Sequence, residues 1–292
     1  MKKERSEFTK DWIIENSIEI VSRYEIGTLT IRGLHYQLVS IGMTNDISHY
    51  KKVVNAMIEA RWNNDIHFET FSDLDRVMIG ETHYKETDVY EAIDEAKDSI
   101  HAWMNYYSKN RWERQAYYPE VLIEKKALQG VFGPICKSKK VTLGACKGYP
   151  SLTFLYEASL RYKKAEDNGH TPIILYFGDY DPSGEDIPRS IKENLRKFGV
   201  DVEVRRIALM EEQVVEMNLP PAPTKETDTR SGNWNGLGQV ELDAVKPEVI
   251  QQMCSDAIDE IFNEDIYSNI LLEEDAEREI YIRELKEYVN TL

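Results

Sequence analysis

The run Ile173-Ile174-Leu175-Tyr176-Phe177, followed at once by Gly178-Asp179-Tyr180-Asp181-Pro182-Ser183-Gly184, constrains this chain more than any other stretch. A short unbroken apolar run bounded by turn formers describes a strand buried on both faces, and such strands belong to parallel sheets covered by helices. Alternate residues of a strand share a face. Asp179 and Asp181 are therefore expected to project together beyond the strand's carboxyl end, the edge at which open α/β sheets hold their ligands. Pro182-Ser183-Gly184 then turns the chain, and Glu185 and Asp186 open a helix to about Phe198, closed by Gly199. Taken alone, an acidic surface turn accounts for the same residues, so the neighbouring pattern has to decide.

That pattern repeats. Val121-Leu122-Ile123 reads as a strand ending at Glu124, and Val141 to Ala145 as another, followed by Lys147-Gly148-Tyr149-Pro150-Ser151 and a helix to about Glu166. Val200 to Leu209 alternates as a further strand. Strands alternating with helices predict an α/β fold with a mostly parallel sheet and helices on both faces. Ahead of it, helical periodicity marks Phe8–Tyr24, Ile31–Ser40 behind the cap Thr30, and Tyr50–Trp62 behind Asn45, Asp46 or Ser48. Ile66 to Phe71 alternates as a half-buried strand, and three helices closing with a small β element suggest a helix-turn-helix or winged-helix module. The division expected is residues 1–84 as a winged-helix-like domain, 85–117 as a helical connector, 118–250 as the α/β domain and 251–292 as an acidic helical tail. Pro220 to Asn235 reads as a long loop.

A chain of 292 residues has room for two cores. No stretch approaches eighteen apolar residues and no signal-peptide core follows Met1, so an intracellular, cytoplasmic protein without a membrane segment is expected. Cys136, Cys146 and Cys254 are odd in number and widely spaced, which fits a reducing compartment and no zinc pattern. The net charge of −16 argues against a general nucleic-acid coat, but it is unevenly spread. Twelve acids against three bases lie from Asp256 onward, whereas Lys125, Lys126, Lys137, Lys139, Lys140 and Lys147 form a basic window. The six histidines show no ligand spacing, and no Walker A sequence is present.

Glu124 stands at the end of its strand as Asp179 and Asp181 stand at the end of theirs, so a parallel sheet would gather three carboxylates at one edge. One acid plus an Asp-x-Asp pair suits Mg²⁺, with Mn²⁺ as a substitute, the remaining positions going to water and phosphate oxygens. Phosphodiester chemistry is the natural use.

Val121-Leu122-Ile123-Glu124-Lys125-Lys126, Gly148-Tyr149-Pro150-Ser151 and Gly178-Asp179-Tyr180-Asp181-Pro182-Ser183-Gly184 together resemble the toprim domain, in the version found in the topoisomerase VI A subunit and its meiotic double-strand-break relatives. The resemblance implies a Rossmann-like toprim domain in which Glu124, Asp179 and Asp181 bind Mg²⁺, Glu124 also works as general acid or base, and Lys125 and Lys147 face DNA phosphate. That family pairs toprim with a winged helix carrying a nucleophilic tyrosine in an Arg-x-x-Tyr-Tyr setting. Arg32-Gly33-Leu34-His35-Tyr36 is similar, with His35 in place of the first tyrosine, so Tyr36 is either the nucleophile, aided by Arg32, or a packed helix aromatic. Lys225 to Arg230 and Gln239 to Val245 resemble segments that follow the toprim core in bacterial and phage proteins. There Lys225 and Arg230 would clamp phosphate and Glu241 assist a metal, while Asp243 reads as a helix cap. The expected function is Mg²⁺-dependent DNA cleavage by a nuclease of phage or bacterial defence type, acting as a homodimer. Its alternatives are a tyrosine transesterase working with a separate ATPase subunit and a non-catalytic DNA-binding subunit.

Overall fold

The computed structural model describes residues 8–23, 28–71, 88–104, 106–221 and 238–291, and the expected phosphate clamps Lys225 and Arg230 lie outside them. The chain divides into two compact units, one made of residues 1–76 and 117–261, the other of residues 77–116 and 262–292.

The first unit begins with three helices, α1 (Lys10–Ser22), α2 (Ile31–Ser40) and α3 (Ile47–Trp62). Each starts at a side-chain cap. Thr9, Thr30 and Asp46 accept from the N–H groups of Trp12, Gly33 and His49, satisfying donors that a helix start leaves open. Leu34 and Leu38, one turn apart on α2, meet Ile13 of α1 and Val53 and Met57 of α3 in a closed core. The strand expected over Ile66–Phe71 does not form. Phe68–Thr70 is a single 3-10 turn, and Phe71 makes one isolated bridge to Leu29. The reason is where the aromatics go: Phe68 lies edge-on to Trp62, and the Arg61 guanidinium sits 5.4 Å from the Phe68 ring and 5.5 Å from the Phe71 ring. Both rings pack on the end of α3, whereas a strand would send residues three apart to opposite faces.

The same unit continues into a four-stranded, all-parallel sheet of β1 (Tyr117–Ile123), β2 (Thr142–Ala145), β3 (Thr171–Phe177) and β4 (Glu203–Ala208) in the order β2-β1-β3-β4. The α/β expectation is met, with β1 and β3 central. The crossovers are α5 (Gln129–Ser138), α6 (Leu152–Asp167) and α7 (Pro182–Lys197); α8 (Glu211–Glu216) and α9 (Pro247–Glu260) follow β4. Leu122, Ile174 and Tyr176 face Leu155 and Tyr162 of α6 and Ile187, Ile191 and Leu195 of α7. On the other face Phe177 meets Phe132 of α5 at 4.8 Å between ring centres, and Gln251 of α9 donates to the Val131 carbonyl. The buried run of β3 is thus explained by two helical layers. On the α6 side, Glu120 is 1% exposed and receives Arg161 Nε at 2.7 Å, Arg161 Nη2 at 3.0 Å and the Tyr162 hydroxyl at 2.8 Å. A buried carboxylate in a strand is tolerable because its oxygens are fully engaged.

In the second unit α4 (Val89–Met104) and α10 (Glu264–Val289) belong together, so the expected connector and tail form one body instead of two regions. Charge explains much of it. Lys109 Nζ lies 2.9 Å from Glu273 and 3.0 Å from Glu277, Arg114 makes a two-pronged pair with Glu273, and Gln115 and the Asn263 backbone exchange two hydrogen bonds. Among the described residues no helix is long and apolar enough to cross a membrane.

Candidate active site

The carboxyl ends of β1 and β3 meet one residue beyond the strands, where the Glu124 N–H donates to the Phe177 carbonyl at 2.9 Å. That bond sets Glu124 beside the β3 exit. Its Oε2 accepts the Asp179 N–H at 2.9 Å and lies 3.5 Å from the Tyr176 hydroxyl. The Lys147-Gly148 turn closes on the same spot. Gly148 N donates to the Glu124 carbonyl, with Lys147 at φ 55° and Gly148 at φ 84°, a region where glycine carries no side-chain penalty.

Asp179 is 6% exposed, and both its oxygens are engaged: Oδ1 accepts Leu242 N at 2.8 Å, and Oδ2 lies 2.8 Å from Lys125 Nζ. Its backbone is pinned by Gly184, where a Cβ would stand 2.1 Å from the Asp179 carbonyl oxygen. Asp181 behaves differently from its strand-mate. The helix after the turn starts at Pro182, three residues earlier than expected, and Asp181 is its N-cap, with Oδ1 accepting Gly184 N at 2.7 Å. Proline suits a first helical position, which has no intrahelical use for an N–H, and the aspartate before it becomes the cap.

A second strip of backbone completes the edge. Tyr180 and Val240 form an antiparallel bridge, 2.8 and 3.0 Å between N and O, that delivers Glu241 and Asp243. Lys125 Nζ lies 3.1 Å from Glu241 Oε2 and 3.1 Å from Asp243 Oδ2, in addition to its contact with Asp179. Asp243 is therefore not the helix cap expected; α9 is preceded by Lys246, and the buried Asp243 carboxylate is spent on Lys125. Glu241 also pairs with Arg32 of α2, which interacts with Tyr36. A chain of charge thus runs from Asp179 through Lys125 and Glu241 to Arg32 and Tyr36. Lys125 and Arg32, both expected to face phosphate, are here held by carboxylates.

Arg206 of β4 was not anticipated. Its Nη2 donates to the Asp179 carbonyl at 3.0 Å and its Nη1 lies 3.5 Å from Glu185, while Nε is buried with no hydrogen-bond partner among the described residues. The signal available was an Arg205-Arg206 pair interrupting an otherwise apolar alternation.

Burial raises the pKa of Glu124, and the Asp181 charge adds to it. Asp179 is pushed up to about 7 by burial and by Glu124, against the pull of Lys125. Burial works against the Lys125 ammonium, but Asp179, Asp243 and Glu241 outweigh it and hold the charge. Tyr36 is buried, and burial together with Glu241 pushes its hydroxyl up to about 12 although Arg32 opposes this. At neutral pH that hydroxyl keeps its proton.

Glu124 Oε1 and Asp181 Oδ2 take no hydrogen bond from the described residues, whereas Asp179 is fully occupied. Among the described residues no group of three or more His, Cys, Asp or Glu side chains is gathered for a metal. One or two carboxylates, with water and substrate oxygens, are the usual protein contribution to an Mg²⁺ site, and two carboxylate oxygens are what this edge leaves open. Comparison with family models, curated proteins and solved structures finds no match to this chain.

Proposed function

We propose that the chain is a DNA phosphodiester-cleaving enzyme of the toprim kind, hydrolytic in mechanism, with its three N-terminal helices serving as a winged-helix-like DNA-binding module. The observation that carries this reading is the meeting of Glu124 and the buried Asp179 at the carboxyl edge of the two central strands, with Lys125 seated on Asp179. Desolvated acids beside a lysine and two arginines are an arrangement suited to phosphoryl chemistry, because charge developing on phosphate is stabilised most in a site that excludes water.

In this reading Lys125, Arg32 and Arg206 bind phosphate oxygens, the first two exchanging Glu241 for the substrate. Glu124, whose proton affinity is raised by burial, takes the proton of the attacking water. Glu124 and Asp181 would hold the divalent cation, Mg²⁺ or Mn²⁺, which when bound supplies Lewis-acid polarisation of the phosphate. A duplex has two strands to cut, so the working form proposed is a homodimer in the cytoplasm.

A second reading has Tyr36 attack the phosphate to leave a phosphotyrosyl link, with an ATPase subunit driving religation. What favours it is the Arg32–Glu241–Lys125 path that ties Tyr36 to the acid edge. Cleavage of supercoiled plasmid in Mg²⁺ or Mn²⁺ separates the two. Hydrolysis predicts cleavage by the wild type and by Tyr36→Phe and at least a hundredfold loss in Asp179→Ala. Loss in both variants, with protein covalently attached to DNA in the wild type, selects the tyrosine route. Binding of DNA without cleavage by the wild type in either metal overturns both and makes the chain a DNA-binding subunit.

A further inference from the structure

In the second unit, α4 carries an apolar seam that the described residues leave largely uncovered. Val89, Ile93, Ala96, Ile100 and Trp103 stand four and three residues apart in turn, the spacing with which one helix lays a continuous seam against another. Asp88 starts the helix by accepting from Tyr90 N at 2.9 Å and Glu91 N at 3.0 Å. Yet none of its 16 residues is buried, and Val89 is 61% exposed, Ile93 44% and Trp103 63%. A helix of this length is marginal in water unless its apolar face is packed, so the open seam marks a place for a partner.

α10 meets only one end of that seam. The Tyr281 hydroxyl donates to the Trp103 carbonyl at 3.2 Å, and Ile100 and Met104, near that contact, are half-buried. A matching seam begins there on α10: Tyr281, Leu285 and Tyr288 repeat the same spacing, and Tyr288 is 60% exposed. The charges around the two seams follow a pattern. Glu91, Asp94, Glu95 and Asp98 all fall on the outer positions of α4, and the only charged residues flanking the seams are Lys97 on α4 and Glu284 on α10, which are opposite in sign. Each now pairs within its own helix, Lys97 with Asp94 at 2.8 Å and Glu284 with Arg283 at 3.3 Å, exposed contacts that cost little to exchange.

A second copy of the chain meets these conditions. Each copy carries a formal charge of −16, so two copies can meet closely only through a face that lacks net charge, and the two seams carry one charge of each sign at their edges. The area is also sufficient. Val89, Tyr90, Ile93 and Trp103 together expose on the order of 500 Å². Each partner in a standard interface gives roughly 800 Å², and the exposed Ile280, Tyr288 and Val289 of α10 supply the difference. We propose that two copies associate through this unit as a four-helix bundle, α4 of each seated on α10 of the other, with Lys97 of one copy against Glu284 of the second on both sides of the twofold axis. The proposal rests on the homodimer named above and gives that dimer its contact.

Sedimentation equilibrium of the full chain at micromolar concentration reads the association state, with circular dichroism to show that each variant is folded. The wild type is expected to be a dimer. Ile93→Glu, at an exposed position, should weaken association by at least about tenfold because it sets a charge in the apolar seam. Lys97→Glu and Glu284→Lys should each weaken it several-fold, since the twofold axis doubles each change, and the double variant, which restores opposite signs, should recover it. Leu160→Glu, 50% exposed on α6 of the first unit, should leave it unchanged. A dimer that survives Ile93→Glu overturns the proposed contact and leaves the homodimer reading standing, as does one that only Leu160→Glu dissolves. A double charge variant no better than the single ones overturns the seating of α4 on α10 of the other copy. A monomeric wild type overturns both the contact and the homodimer.

Discussion

Replacing Lys125 by methionine removes one positive charge from among three carboxylates and keeps most of the side chain's volume. Lys125 Nζ lies 2.8 Å from Asp179, 3.1 Å from Glu241 and 3.1 Å from Asp243. At an effective dielectric constant of about 20, each such contact is a gross attraction of roughly 5 to 6 kcal/mol. Most of that offsets the cost of taking the ions out of water, and breaking a buried pair by removing one partner typically leaves a net loss of about 3–5 kcal/mol. The Lys125 side chain is 26% exposed, so solvent compensates part of the loss and the low end, about 3 kcal/mol, is expected. The sign with pH follows from the same geometry. Without Lys125 the Asp179 carboxyl, already pushed up to about 7, is raised further above its unfolded value. An acid whose folded pKa is raised destabilises the fold at high pH and ceases to do so as it protonates. The deficit of Lys125→Met relative to wild type should therefore be largest at high pH, above the variant's raised Asp179 pKa, and shrink as the pH falls towards about 7, where Asp179 protonates in the wild type as well. Urea unfolding followed by circular dichroism at several pH values measures both effects. A deficit below about 1 kcal/mol at pH 8, or one that grows on acidification, would show that the lysine is not what holds these acids together.

Gly184→Ala would set a methyl 2.1 Å from the Asp179 carbonyl, and the overpacking cost of about 1–3 kcal/mol outweighs a helix-propensity gain of at most about 1 kcal/mol; urea unfolding should register a net loss. Glu120→Ala strands the buried Tyr162 hydroxyl and releases Arg161, for an expected loss of about 2–3 kcal/mol, whereas a loss under 0.5 kcal/mol would mean that water replaces the carboxylate. In the second unit, Arg114 and Lys109 hold the Glu273 carboxyl down at about 2, below its ordinary value of 4.5. That contribution is present above the ordinary value and lost as pH falls towards 2, so the helices of this unit should melt at lower temperature at pH 3 than at pH 6 in low salt, with the difference reduced by 1 M salt.

Much of this protein was legible in its sequence because the relevant physics is local. Apolar runs ending in turn residues located β1 and β3, helical periodicity located α1, α2, α3 and α6, and Thr30 announced the α2 cap. Glu124 and Asp179 were placed at one edge because parallel strands necessarily present their carboxyl ends together. Local rules failed where a partner far along the chain decided the outcome. Asp181 looked equivalent to Asp179 by strand periodicity, but the chain leaves the strand before it and the residue caps α7 instead. Asp243 looked like a cap and turned out to neutralise Lys125 across 118 positions. Ile66–Phe71 alternated like a strand and found no strand to pair with. The sequence by itself determined the α/β architecture and the identity of the two acids at its edge, because strand burial and parallel pairing follow from patterns a few residues long. Only the tertiary structure decided which charges meet. The bridge from Tyr180 to Val240 carries Glu241 and Asp243 onto Lys125 and joins Arg32 and Tyr36 to the same site, a pairing that depends on long-range backbone hydrogen bonds no short pattern encodes.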